Sequence, residues 1–254
     1  MARTVPETAL SIRYKRIKGM TVAERRDECE RLARCSSELV DDFLRSLDAM
    51  RAFENRDEGF HPPGRKANPV DRPGTVRCMK FLMAGPVSVV GQKGYSFRIV
   101  DTEIAPLRAR NAGAPRSGAG GIDYVAIVEG PPVVPVIGEV KAGNDGDAFY
   151  AFVQLLTYLA WMCPEAQLAR ATTHLFRQSL PSPTRWDLHL LLCDRNKRSA
   201  KERLVGPTEE LAQRFSQEVR FRMAEQTPLG RILCLRMGEM STKRTIELVW
   251  ACGG

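Results

Sequence analysis

Four residues of chemical interest, Asp123, Glu139, Lys141 and Gln154, fall within the stretch from Gly118 to Tyr158. Two carboxylates brought close together repel, and one stays protonated unless a cation neutralises the pair. A hard divalent ion removes the conflict, since Mg²⁺ takes oxygen ligands and keeps several of its waters. A lysine beside such an ion can orient or deprotonate a water, or neutralise charge that develops on phosphoryl oxygens. Together these groups suit metal-assisted hydrolysis of a phosphodiester. The reading without chemistry is a salt-bridge cluster at the end of a hairpin.

The elements around these residues must bring them together. Tyr124–Val128 and Val133–Ile137 are short apolar runs that bracket Glu129-Gly130-Pro131-Pro132, a turn composition. In an antiparallel hairpin centred on residue 131, Asp123 and Glu139 are equally far from the turn and face each other. Their Cβ atoms would then stand roughly 4.5–5.5 Å apart. Lys141, two residues beyond Glu139, projects from the same face. Pro135 cannot donate to a ladder, which predicts an edge position or a bulge near it. From Ala148 the sequence AFYAFVQLLTYLAWM carries Phe149, Phe152, Val153, Leu156, Leu159 and Ala160, the apolar surface of a helix buried on a sheet. Gln154 and Tyr158 share one face of it. A glutamine in that setting needs a partner, and the mouth of the hairpin supplies one.

Gly120-Gly121-Ile122-Asp123, then Glu139-Val140-Lys141, then Gln154-x-x-x-Tyr158 resembles the PD-(D/E)XK nuclease superfamily, and within it the RecB-like branch. The motifs fall within Gly118–Tyr158, and the preceding helix and hairpin and the later strand fit the order of the family's core. The resemblance implies an α/β fold with a restriction-endonuclease-like αβββαβ core: a mixed sheet flanked by helices, extended by a C-terminal helix and β-hairpin. It implies that Asp123, Glu139 and the Val140 backbone carbonyl hold Mg²⁺ or Mn²⁺. Lys141 would handle the attacking water, while Gln154 and Tyr158 would support the site or the substrate strand. The proline that names the superfamily is absent before Asp123. The upstream histidine of many members is absent from the N-terminal helical pattern, so that motif is either missing or replaced by an acid such as Glu38 or Glu103. The function implied is a Mg²⁺- or Mn²⁺-dependent deoxyribonuclease. The alternatives are a catalytically silent nucleic-acid-binding or assembly subunit with the same fold, and an RNA-cleaving effector.

The rest of the chain sets bounds on this reading. At 254 residues, 43% hydrophobic and 27% charged, the composition is that of a globular chain able to bury a sizeable core, which excludes fibrous and disordered classes. A net charge of +8 permits a polyanionic partner. Arg108, Arg110 and Arg116 lie just ahead of Asp123 in a basic loop, Leu107–Arg116, and are the expected phosphate contacts. Cutting both strands of a duplex would be served by a homodimer or a partner protein. Seven cysteines without a CxxC pair predict reduced, buried thiols and no zinc site, hence a cytoplasmic setting. No signal peptide or membrane-spanning run is evident, and no membrane partner is expected.

Residues 1–20 read as a basic leader whose RYKRIK run suits either phosphate contact or a solvated tail, and 21–254 as one domain, with its core in 21–194 and an extension in 195–254. Thr21-x-x-Glu24 has the form of a capping box, and the apolar spacing after it predicts one long helix from Val22 to Phe53. Asn55–Gly74 predicts a long loop with an incidental His61. Pro86–Val90 and Tyr95–Ile104 predict a hairpin across Gly91–Gly94, and neither this turn nor the GAGG segment is a phosphate loop. Thr173–Arg177 and Trp186–Cys193 read as strands, with His189 a core histidine. Arg195–Arg203 is a basic run that suits either a phosphate patch or a solvated loop. A helix from Pro207 and a hairpin of Arg231–Met237 with Thr245–Trp250 complete the pattern.

Overall fold

The computed structural model describes residues 6–53, 58–61, 73–109, 121–142, 147–193, 201, 203–237 and 245–253. In chain order the helices are α1 (Ala9–Gly19), α2 (Val22–Arg34), α3 (Ser36–Ala52), α4 (Pro73–Met83), α5 (Ala148–Met162), α6 (Glu165–Arg170) and α7 (Val205–Met223). The strands are β1 (Glu58–His61), β2 (Val87–Val90), β3 (Ser96–Ala109), β4 (Ile122–Val128), β5 (Val134–Ala142), β6 (Trp186–Cys193), β7 (Leu229–Met237) and β8 (Thr245–Cys252). This is a mixed α/β fold.

The predicted hairpin forms within the sheet, with β3 on one side and β6 on the other. β4 and β5 pair antiparallel from Val128↔Val134 to Tyr124↔Gly138, all in the register centred on residue 131. No bulge interrupts it. Pro135 is accommodated because the ladder between β5 and β6 starts only at Val136↔Asp187, so at Pro135 the strand is locally an edge. β3, β4 and β5 make an antiparallel meander, and α5 carries the chain across to β6, parallel to β5. A parallel neighbour requires such a crossover. β7 continues parallel to β6, β8 turns back antiparallel, and β8 also pairs in parallel with β2, which pairs with β3. Seven strands therefore close into a ring, and β1 adds to the far half of β3.

The two faces of the ring bury different things. Outside, α1, α2, α3, α5 and α7 form the larger core with Phe43, Phe152, Phe215 and Trp186. Inside, Phe97, Tyr124, Val136, Val140, Leu191 and Leu233 meet Cys78, Met79 and Leu82 of α4. α5 lies between the sheet and the outer helices, so all fifteen of its residues are buried. Its first turn is capped by Asp147, whose Oδ1 accepts the Tyr150 N–H at 2.8 Å.

Several expectations are corrected. The long helix is two: it breaks at Cys35 (φ −128°, ψ 57°), where the chain turns between α2 and α3. The capping box at Thr21 is present in both directions. The basic leader is α1, opened by Thr8 and fixed by fully buried Leu10 and Ile17; the charges of RYKRIK masked this apolar stripe. Arg13 in that run pairs with Glu28 and Asp42 instead of projecting into solvent. The stretch Asn55–Gly74 contains β1, including His61, and the start of α4. Thr173–Arg177 is no strand: Ala171–Phe176 forms a π-helical turn after α6 that puts Leu175 and Phe176 into the core. Cys78 and Cys193 are joined as a disulfide, because α4 lies against the end of β6, so the expectation of reduced thiols fails for that pair. Among the described residues, no helix is long and apolar enough to cross a membrane.

Inside the ring, His189 is a core histidine with both ring nitrogens engaged. Nε2 stands 2.7 Å from the Tyr95 hydroxyl and Nδ1 3.1 Å from that of Tyr124. Tyr95 also donates to Asp187 at 2.9 Å, and the Arg231 guanidinium holds the same carboxylate at 3.0 Å. Burial, with Arg231 nearby, pushes the His189 pKa down to about 3. The unfolded chain then binds a proton between pH 6.5 and 3 that the folded chain refuses, so this contribution to stability is lost as pH falls through that window. Chemical denaturation from pH 7 to 4 is expected to show the wild type losing stability faster than His189→Gln, at up to about 1.4 kcal/mol per pH unit. Equal slopes would show that His189 takes up its proton without unfolding.

Candidate active site

The site lies where β4 and β5 part. Their last backbone pair is Tyr124↔Gly138, and beyond it the Val140 N–H donates to Asp123 Oδ2 at 2.7 Å instead of to the opposite strand. The Asp123 carboxylate is thus inserted at the ladder's end, next to Glu139 as the register requires. On an extended strand the N–H and C=O of one residue point the same way. The Val140 carbonyl therefore faces the β4 side, where Asp123 lies, while its side chain is in the inner core.

Glu139 and Lys141 project from the opposite face of β5, toward α5. Lys141 Nζ donates to Glu139 Oε1 at 2.7 Å and to Gln154 Oε1 at 3.0 Å. Gln154 Nε2 donates to the Tyr158 hydroxyl at 2.7 Å, and that hydroxyl donates to the Gly121 carbonyl at 3.1 Å. This directional chain fixes the Gln154 amide and ties α5 to the backbone two residues before Asp123. Glu139 and Lys141 are each 3% exposed and Gln154 5%, so the charges interact with little screening by water. Burial, and next the Glu139 carboxylate, hold the Tyr158 phenol well above its ordinary pKa, which keeps it a neutral donor. Burial acts likewise on Tyr124, followed by Asp123 and Glu139.

The sequence-derived set of Asp123, Glu139, Val140, Lys141, Gln154 and Tyr158 is therefore brought together. Other candidates are not. Glu38 is on α3 and turns to Arg31, bonded at 2.7 Å, which holds its carboxyl below the usual range. Glu103 is nearer. In the ladder between β3 and β4, Thr102 pairs with Tyr124 and Ile104 with Ile122, which puts Glu103 opposite Asp123. It has φ 52°, a left-handed backbone that a non-glycine residue adopts only at a cost. Among the described residues, no three of His, Cys, Asp and Glu converge as a metal-holding group. Arg108 lies on β3, opposite Gly59, and not in a loop; its side chain, Arg110 and Arg116 lie outside the described residues. If the site supports metal-dependent phosphodiester cleavage, and Glu103 serves it while Glu38 does not, Glu103→Gln should lower that cleavage about tenfold while Glu38→Gln leaves it unchanged. Initial rates on one substrate decide this, and equal rates for Glu103→Gln and wild type would remove Glu103 from the site.

Two neighbours were not singled out in the sequence. Tyr150 lies one turn before Gln154, a spacing visible in the chain. Arg203 belongs to the basic run but is 1% exposed, neither a phosphate patch nor a solvated loop. It donates to the Lys141 carbonyl at 3.2 Å and the Cys193 carbonyl at 3.3 Å, and its own carbonyl accepts the Ala148 N–H at 2.9 Å. It thereby fastens the ends of β5 and β6 to the start of α5. Nothing in its sequence setting marks it.

The donor set fits a hard divalent cation. Two carboxylates and a carbonyl are oxygen donors, and each carboxylate offers about four lone-pair sites. Mg²⁺ is commonly held by one or two carboxylates and completes its shell with water, so a third acid is not required. Comparison of the chain with protein-family models, with curated proteins and with solved structures found no match.

Proposed function

We propose that this protein is a metal-dependent phosphodiesterase whose two-carboxylate centre is Asp123 and Glu139. More particularly, we read it as a nuclease that hydrolyses DNA with Mg²⁺ or Mn²⁺. One observation carries the reading: an aspartate and a glutamate meet at the parted end of a hairpin, with a buried lysine bonded both to the glutamate and to a helix-borne glutamine. A purely structural ion pair would need neither the second acid nor the parted ladder. The order of meander, crossover helix α5 and parallel β6 supports a restriction-endonuclease-like αβββαβ core. With the motif spacing, it supports membership of the PD-(D/E)XK superfamily in its RecB-like branch. The charge of +8 suits a polyanionic substrate.

In this reading Asp123, Glu139 and the Val140 carbonyl hold the cation. When bound, such an ion supplies charge neutralisation at the phosphoryl oxygens and a more acidic water. Lys141 Nζ orients the attacking water and steadies the charge that develops on the phosphoryl group. Gln154 sets the position of Nζ, and Tyr158 sets that of Gln154.

The test is cleavage of end-labelled single- and double-stranded DNA, and of RNA, by purified protein with Mg²⁺ or Mn²⁺. DNA cleavage that EDTA stops and Asp123→Asn lacks is the expected result. Cleavage of RNA alone would replace DNA by RNA as substrate. Binding without cleavage, alike in wild type and Asp123→Asn, would leave a silent nucleic-acid-binding subunit.

A further inference from the structure

Tyr150 is four residues before Gln154 on α5, and so on the same face of the helix. The Lys141 ammonium stands 4.6 Å from the centre of its ring. Lys141 thus meets a carboxylate, an amide oxygen and an aromatic face, with Tyr150 itself only 8% exposed. An aromatic face attracts a cation through its quadrupole, most strongly where water is excluded.

The ring is in turn held by elements outside the hairpin and its crossover helix. Tyr14 of α1 stacks on it with centroids 5.2 Å apart and planes 20° apart, and accepts the Tyr150 hydroxyl's hydrogen bond at 2.7 Å. The Arg25 guanidinium of α2 lies 5.0 Å from the ring centre and also reaches Asp147 Oδ2, on the residue that caps α5, at 3.1 Å. Burial and the bond to Tyr150 raise the Tyr14 phenol above its ordinary pKa, and Lys141 and Glu139 both act on it as well, which sets it within electrostatic reach of the site.

We propose that Tyr150 is a positioning residue for Lys141, its ring completing the seat of the ammonium, and that Tyr14 of α1 locks that ring. The consequence for turnover rests on the nuclease reading; the seat itself does not. The test therefore has two readouts. In protein labelled with ¹³Cε-lysine, the Lys141 resonance is assigned by its loss in Lys141→Ala. It is expected upfield of the other lysines from the ring current, unmoved in Tyr150→Phe and shifted back in Tyr150→Leu. On DNA, Tyr150→Leu should lower kcat about tenfold with KM within about twofold, while Tyr150→Phe stays within about twofold of wild type. Because Tyr150→Leu removes a core side chain, Tyr14→Ala is a second variant that frees the ring from a half-buried position. It should move the Lys141 resonance part of the way and lower kcat about threefold.

A Lys141 resonance that neither Tyr150→Leu nor Tyr14→Ala moves would overturn the proposal. In a wild type that cleaves DNA, Phe and Leu variants equal in kcat would overturn it too. If the wild type cleaves no nucleic acid but the resonance behaves as expected, the seat stands and the nuclease reading falls.

Discussion

If the proposed nuclease reading holds, Lys141→Ala is expected to lower metal-dependent DNA cleavage by about 10²–10⁴-fold, the range for removing a group that handles a proton in the reacting state. The same substitution strips Glu139 of the ammonium 2.7 Å from its Oε1, inside a site almost closed to water. Breaking a buried ion pair by deleting one partner costs roughly 3–5 kcal/mol, since the remaining charge is left in a poor solvent. Glu139→Gln added to Lys141→Ala should recover much of that stability and none of the activity. Denaturation midpoints and initial rates on the two variants separate the contributions. If Lys141→Ala cleaves DNA within tenfold of wild type, Lys141 has no part in the chemistry. A divalent cation should also raise the midpoint of Lys141→Ala, because it replaces the lost positive charge beside Asp123 and Glu139.

Among the described glycines, Gly138→Ala is expected to be the most damaging substitution. Gly138 pairs directly with Tyr124 across β4 and β5, and a Cβ added there would stand 1.9 Å from Tyr124 Cζ. The tyrosine ring lies over the glycine and has no room to retreat. It stacks against Phe97 at 6.2 Å, bonds His189 at 3.1 Å and is fully buried. Overpacking of this kind costs about 1–3 kcal/mol, and a lost buried hydrogen bond adds about 1 kcal/mol. For a domain of this size, a loss of about 4 kcal/mol lowers Tm by roughly 8–16 °C. Tyr124→Leu in the same molecule should restore part of it by clearing space. A Tm within two degrees of wild type for Gly138→Ala would show that the ring has another place to go. Because Gly138 precedes Glu139, the strain falls beside Asp123 and Glu139, and any activity of the proposed site should decline along with stability.

What the sequence makes legible follows from short-range rules. The register of Asp123 against Glu139 depends only on a turn centre and a period of two, and both held because no bulge entered at Pro135. The buried face of α5 was readable from its apolar content, and Gln154 from the need of a buried amide for partners. The break at Cys35 was not, because the apolar spacing runs on through it; packing of α2 on α7 and of α3 on α5 and α7 sets the bend. α1 was hidden by its charge, since its core stripe is only Leu10, Tyr14 and Ile17. The pairing of β8 with β2, which closes the ring, joins residues more than 150 positions apart and leaves no local mark. Arg203 stayed hidden for a related reason: its partners are backbone carbonyls, and no residue type announces those.

That closure has a consequence for biogenesis. Synthesis proceeds from the N-terminus, so β8 is made after the six other strands of the ring it must complete, and until then β2 and β7 both present open edges. Unpaired edges are where a growing chain meets its neighbours on a crowded polysome. The hairpin that carries Asp123 and Glu139, and α5 that steadies Lys141, are complete well before that point. That segment is thus built early and sealed late. The interval between the two is when this chain is most exposed to misassembly.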